Sequence, residues 1–166
     1  MGDIVIRKAT ESDAQLVYDM ALTLAQEIGD TDNFSCTLDT LKRFGFGASA
    51  VFHNMIATHD DQPCGLAMYS PIFSTNLGGP GVYVSDLWVA AEQRKLGLGQ
   101  RLLAEVADTA NHDFVAKFMT LTVYNDNPNA ADFYHRLGFT SKERDEPQLL
   151  QTVAFQQLRA KAQTNT

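Results

Sequence analysis

The chain has 166 residues, which favours one domain with a single core. Its composition, 45% hydrophobic and 20% charged, is that of an ordinary soluble globule, and no apolar run reaches the roughly 18 residues of a membrane span. Lys plus Arg is 13 and Asp plus Glu is 20; the formal net charge of −7 argues against a nucleic-acid surface, and it suits a cationic small molecule or solubility alone.

The opening "MGDIVIRKAT" is too short and too charged for a signal peptide, and Ile6 stands where myristoylation needs Ser or Thr. The expectation is a cytoplasmic protein with no membrane attachment. Cys36 and Cys64 cannot make a disulfide framework and read as buried thiols. The histidines, His53, His59, His112 and His135, show no ligand spacing, so no metal site is expected.

"DIVIRKAT" alternates as a strand. Thr10 then caps a helix, with Asp13 three residues on, and Leu16, Val17, Met20, Leu24 and Ile28 carry the helical spacing from Glu11 to about Ile28. "GDTDNFS" breaks it. "TLDTLKRFGF" is a shorter helix capped by Thr37. Two β-rich runs follow, "SAVFHNMIATHDD" and "PCGLAMYSPIF", joined by the hairpin signal "DDQP". "NLGGPG" turns into the strand "VYVSDLWVA". A helix comes next, with Leu98, Leu102, Leu103 and Val106 on one face. "AKFMTLTVY" is a strand and "NDNPNAADFYHRLGF" a helix ending at Gly138. One more strand is expected around "QLLQTVAF", and "KAQTNT" should fray. The order β-α-α-β-β-β-α-β-α-β, without repeats or linkers, predicts a single α/β (α+β) domain over residues 1–166, with a mixed sheet and helices on its faces.

The stretch "EQRKLGLGQRLL" sits between a strand and an amphipathic helix. A dinucleotide fingerprint fails because Leu102 stands where the third glycine belongs. A nucleotide P-loop fails because the chain has no Gly-Lys pair. What remains is a helix N-terminus built for a pyrophosphate, or a plain glycine turn with surface cations. The first helical turn leaves N–H groups unpartnered, and the helix dipole adds positive charge there. Glycines let a phosphate approach. Arg94 and Lys95 supply full charges.

A second motif follows the next strand. Asn127 precedes Pro128 as an N-cap would, and Ala130, Phe133, Tyr134, Gly138 and Phe139 complete N-x-x-A-x-x-F-Y-x-x-x-G-F. With Arg94, Gly97 and Gly99, this pattern resembles the GNAT superfamily of acetyl-CoA-dependent N-acetyltransferases, over about residues 3 to 156. Within it the chain is most similar to the diamine (spermidine/spermine and thialysine) acetyltransferases, through "IRKAT", "FGFG", "GLAMYSPIF" and "VYVSDLWV".

The resemblance implies the GNAT fold: a mixed central sheet of about six to seven strands, splayed between strands four and five and flanked by four helices. It implies direct transfer of acetyl from acetyl-CoA to an amine in a ternary complex. Carried over by position, the backbone of Leu87, Trp88 and Val89 pairs with the pantetheine arm. The loop Arg94, Lys95, Leu96, Gly97, Leu98, Gly99, with Gln100, cradles the pyrophosphate, and Asn127 reaches the pantetheine side. Tyr134, a phenol protonated at neutral pH, is the acid for the leaving thiolate.

The family's strand-four Glu-Asp pair reads Ser85-Asp86 here. Ser85 is no base unaided. Regular alternation would point Asp86 away from the face of Ser85, unless a bulge re-aims it. Glu27, Asp30 and Asp32 are candidates for an amine cation, or solvated helix-end acids; Tyr69 and Tyr83 line the channel or pack in the sheet. The resemblance also implies a homodimer, a small-molecule amine as acceptor and no cofactor beyond acetyl-CoA. A protein N-acetyltransferase and a non-catalytic acyl-CoA sensor are the alternatives.

Overall fold

The computed structural model describes residues 3–141 and 149–161. The N-terminal Met-Gly pair and all of "KAQTNT" after Lys161 lie outside the described residues, so the expected fraying falls there. The chain divides into a unit ending at Asn127 and a unit beginning at Pro128.

The first unit holds β1 (Ile4–Lys8), α1 (Ala14–Glu27), α2 (Leu38–Gly45), β2 (His53–His59), β3 (Gln62–Ser74), β4 (Gly79–Val89), α3 (Leu98–Phe114) and β5 (Met119–Leu121). The strands lie side by side in chain order. The pairs from β1 to β4 are antiparallel, and β4–β5 is parallel.

The capping signals act as expected. Thr10 N–H donates to Asp13 Oδ2 at 2.7 Å, and a 3-10 turn over Glu11–Asp13 leads into α1. Thr37 Oγ1 accepts from Thr40 N–H at the start of α2. The β2–β3 hairpin closes through Asp60 and Asp61, at φ +49° and +61°, a pair of left-handed residues that matches strand twist.

One sheet face meets α1 and α2. Val17, Met20, Ala21, Leu41, Ile56 and Leu66 are buried there, with Met68 and Trp88 packed against them. The other face meets α3, which buries Leu98, Leu102, Leu103, Val106 and Ala110. A Cβ at Gly65 would come within 2.8 Å of Leu102 Cδ1, so the bare backbone there lets α3 rest directly on β3.

β4 pairs with β5 only from Val82↔Met119 to Val84↔Leu121, and then continues to Val89 paired with β3 alone. Pairing between strands four and five thus stops in the region where the splay is expected. This also accounts for the early end of β5: the β4–β5 ladder stops at Leu121, while before it Lys117 N–H donates to Pro80 O and Phe118 O accepts from Val82 N–H, both at 2.9 Å.

In the second unit, α4 (Pro128–Arg136) ends in a Schellman motif. Phe139 N–H donates to Tyr134 O at 3.1 Å, and Gly138 N–H to His135 O at 3.0 Å. Gly138 takes φ +94°, a conformation that costs a residue with a Cβ.

The tail requires a correction. Five strands are present among the described residues, against the six to seven expected, and the segment read as a final strand around "QLLQTVAF" forms α5 (Thr152–Ala160) instead. Gln148, its first residue, lies outside the described residues. Val153 and Phe155 alternate as in a strand, but Ala154, Gln156, Gln157, Leu158, Arg159 and Ala160 all favour a helix. Among the described residues the α-helices therefore number five rather than four.

Arg7 donates two bonds to Asp13, at 2.7 and 2.9 Å, and holds its carboxyl well below the usual range, with Thr10 adding to the effect. A depressed carboxyl contributes stability above its unfolded value, about 3.9, and loses it as pH falls through its folded value. Arg7→Gln should therefore lower the melting temperature at pH 7 by roughly 2–4 °C. Thermal scans should show the difference shrinking below about pH 4.

Candidate functional site

The site begins with one extra residue in β4. Tyr69 faces Val84 and Met68 faces Asp86, so Ser85 is a bulge with no partner across the ladder. Residues directly opposite share a sheet face. Asp86 therefore lies on the α1–α2 face, with Met68 and Trp88, where unbroken alternation from Val84 would have put it on the α3 face. Ser85 is exposed, and its Oγ donates to Met68 O at 3.4 Å. Burial raises the Asp86 carboxyl, and a hydrogen bond from Ser85 partly offsets this. Cys36 shares that face; its thiol is raised by burial first and then by the charge of Asp86.

Beyond the bulge, Leu87, Trp88 and Val89 pair with β3 on one side only. Their β5-side edge is the part of the ladder that an extended ligand could join. All three are half-buried.

The loop after β4 leads to the start of α3. Lys95 and Gly97 take left-handed conformations, at φ +63° and +84°, and Leu98 begins the helix. Among the described residues, no side chain caps the first turn of α3, and nothing lies within 4 Å of where a Cβ of Gly97 would stand. Leu98 is buried as the first apolar anchor, Gly99 and Gln100 follow in the first turn, and Leu96 is exposed beside them. An uncapped helix start in an open glycine loop with two cations fits a diphosphate.

Two of the acids proposed for an amine have partners in this unit. Glu27, at the end of α1, pairs with Arg94 Nη2, while Arg94 Nε donates to Val89 O at 2.8 Å. Asp30 Oδ2 accepts from Tyr124 Oη at 2.7 Å, and Asp30 Oδ1 from Asn33 Nδ2 at 2.5 Å. These bonds lower the Asp30 carboxyl, Asn33 first and Tyr124 second, and the same Asp30 bond raises the Tyr124 phenol.

Tyr124 was not singled out from the sequence. Its signal was position: it follows the end of β5, and ligands in parallel sheets gather at carboxyl ends of strands. Tyr83 is half-buried on β4. Tyr69 is 1% exposed and packs 5.6 Å from the His53 ring, so it is part of the core. Burial pushes its phenol up to about 12.

In the second unit Tyr134 occupies the third residue from the end of α4. Its ring lies edge-on to Phe139 at 5.5 Å and to Phe133 at 5.0 Å. Burial raises its phenol above the ordinary value, so it is protonated at neutral pH. Asn127 immediately precedes α4, and its N–H donates to Tyr124 O at 3.0 Å.

Among the described residues, no three His, Cys, Asp or Glu side chains gather closely enough to hold a metal ion, and no helix is long and apolar enough to cross a membrane.

Comparison with known proteins matches residues 18–139 to the acetyltransferase (GNAT) family. The thialysine N-epsilon-acetyltransferase of Sus scrofa is 30% identical, over 83% of this chain and 85% of that protein. Among solved structures, an integron cassette protein from the mobile metagenome of V. cholerae superposes with a TM-score of 0.74 at 19% identity, covering 94% of this chain and 97% of that one. An aminoglycoside N-acetyltransferase in complex with CoA gives a TM-score of 0.71 at 15% identity, covering 92% and 97%.

Gly97→Ala should lower stability by about 1–2 kcal/mol, because the cost comes from the left-handed backbone and not from a clash. Urea denaturation measures it.

Proposed function

Because the chain belongs to the GNAT acetyltransferase family and is an acetyl-CoA-dependent N-acetyltransferase, we propose that it transfers acetyl directly to a primary amine of a small polyamine-like or lysine-like molecule. Both substrates are bound together in this reading. The observation that carries it is the conjunction of an uncapped α3 start with the one-sided β4 edge after the Ser85 bulge. The thialysine-acetylating relative supports the small amine as acceptor.

When bound, acetyl-CoA supplies an acetyl thioester open to attack by an amine. The N–H groups of Leu98, Gly99 and Gln100 hold its diphosphate, helped by the α3 dipole and the charges of Arg94 and Lys95. The backbone of Leu87, Trp88 and Val89 aligns the pantetheine arm, and Asn127 contacts its side. Asp86 takes a proton from the ammonium, directly or through water, because the bulge turns it to the α1–α2 face and burial makes it a better base than an ordinary Asp. Tyr134 gives a proton to the departing thiolate. Glu27 and Asp30 attract the cation, Tyr83 lines its path, and Tyr69 supports the sheet from within. The family match runs through both units, which supports one acetyltransferase domain over residues 1–166. A cytoplasmic homodimer completes the reading, on the resemblance to the diamine group.

The test is release of CoA thiol from acetyl-CoA with spermidine, putrescine, thialysine, lysine, aminoglycosides and a basic peptide. Saturable turnover on one small amine supports the proposal. Turnover confined to the peptide moves the acceptor to proteins, and tight acetyl-CoA binding without turnover indicates a sensor.

Two substitutions separate the roles. Tyr134→Phe should lower kcat about 10²-fold and leave acetyl-CoA affinity unchanged, since only the phenol proton is lost. Gly99→Val should instead weaken acetyl-CoA binding at least about tenfold, because a branched Cβ enters the phosphate loop. Steady-state kinetics and calorimetry give the two readouts.

A further inference from the structure

Arg94 opens the loop that holds the donor's diphosphate in the reading above. Its guanidinium is nevertheless committed to Glu27 and to the carbonyl of Val89. Glu27, in turn, is one of the two acids offered to the amine. Arg94 on Oε2 already compensates the Glu27 charge, so the carboxylate attracts an ammonium less while that pair is closed. One guanidinium therefore has two anionic claimants, and one carboxylate has two cationic claimants.

We propose that Arg94 exchanges between Glu27 and the diphosphate of acetyl-CoA, so that donor binding releases the Glu27 carboxylate to the amine; this rests on the reading above. The exchange keeps every charge compensated, because a guanidinium–carboxylate pair gives way to guanidinium–diphosphate and ammonium–carboxylate pairs. It is also undemanding. The two side chains are 46% and 37% exposed, and half-exposed pairs contribute little to stability. The Nε bond to Val89 O anchors the root of the guanidinium, so only its outer nitrogens change partner. Asp30 differs in kind, since its partners Tyr124 and Asn33 are uncharged and it keeps its negative field throughout. The consequence is positive coupling between donor and amine, each strengthening the binding of the other.

The experiment is a double-mutant cycle on CoA affinity, read by calorimetry with CoA itself as the probe and thermal scans as the folding control. Glu27→Gln should tighten CoA by about fivefold or more, because a competitor for Arg94 is removed. In the Arg94→Gln background the same change should have no effect. Tightening of equal size in both backgrounds would mean simple charge repulsion and would overturn the exchange. Weaker or unchanged CoA binding in Glu27→Gln would overturn it too, by making Glu27 a mere support for Arg94. With whichever amine the thiol-release panel selects, Glu27→Gln should raise its KM about tenfold with kcat retained. An unchanged KM would refute release of Glu27 to the amine. Failure of the wild-type protein to bind CoA would remove the parent reading along with this one; normal binding and turnover with a null cycle would remove only this one.

Discussion

One unpaired residue, Ser85, sets the geometry on which the candidate site depends. A bulge bends its strand, sharpens the local twist and stops pairing on the neighbouring edge. The ladder to β5 ends at Val84, immediately before it. Past it, Leu87 to Val89 keep β3 on one side and leave the other edge without a strand. The same insertion turns Asp86 from the α3 face to the α1–α2 face. The end of β4–β5 pairing, the one-sided edge and the face taken by Asp86 thus follow from a single departure from period two.

The rest of the site is assembled from chain ends. α3 begins where β4 runs out, and its uncapped first turn faces an open glycine loop. Close seating of α3 over Gly65 fixes that helix to the sheet. At the far end of α1, Glu27 and Asp30 place acid next to the basic loop and next to Tyr124. A chain of net charge −7 thereby sets the Arg94–Lys95 loop beside an acid at the end of α1. Because these groups sit at helix and strand ends, they can change partners without disturbing the packed faces.

Features written in neighbouring residues were legible before the structure. Thr10 with Asp13, Thr37 at α2, the Asp60–Asp61 hairpin and the apolar stripe of α3 are all local chemistry. The Ser85-Asp86 pair raised the question of a bulge, but only the register with Met68 and Tyr69 answers it. Arg94 with Glu27 and Tyr124 with Asp30 join residues 67 and 94 positions apart, and no spacing rule reaches that far. Tyr69 illustrates a different gap: a β-strand Tyr reads the same whether it faces a channel or the core. The tail misled because Val153 and Phe155 alternate within a segment otherwise made of helix formers.

The end of α4 has a consequence of its own. Tyr134, Gly138 and Phe139 are the third residue from the end, the left-handed residue and the closing apolar residue of one helix stop. The backbone bond from Phe139 and the edge-on ring contact restrict the tyrosine's two side-chain torsions before any substrate is present. A phenol so held is part of a portable punctuation mark. Its aim is inherited from twelve residues of local folding, Pro128 to Phe139, and would travel with that segment into any sheet able to receive it.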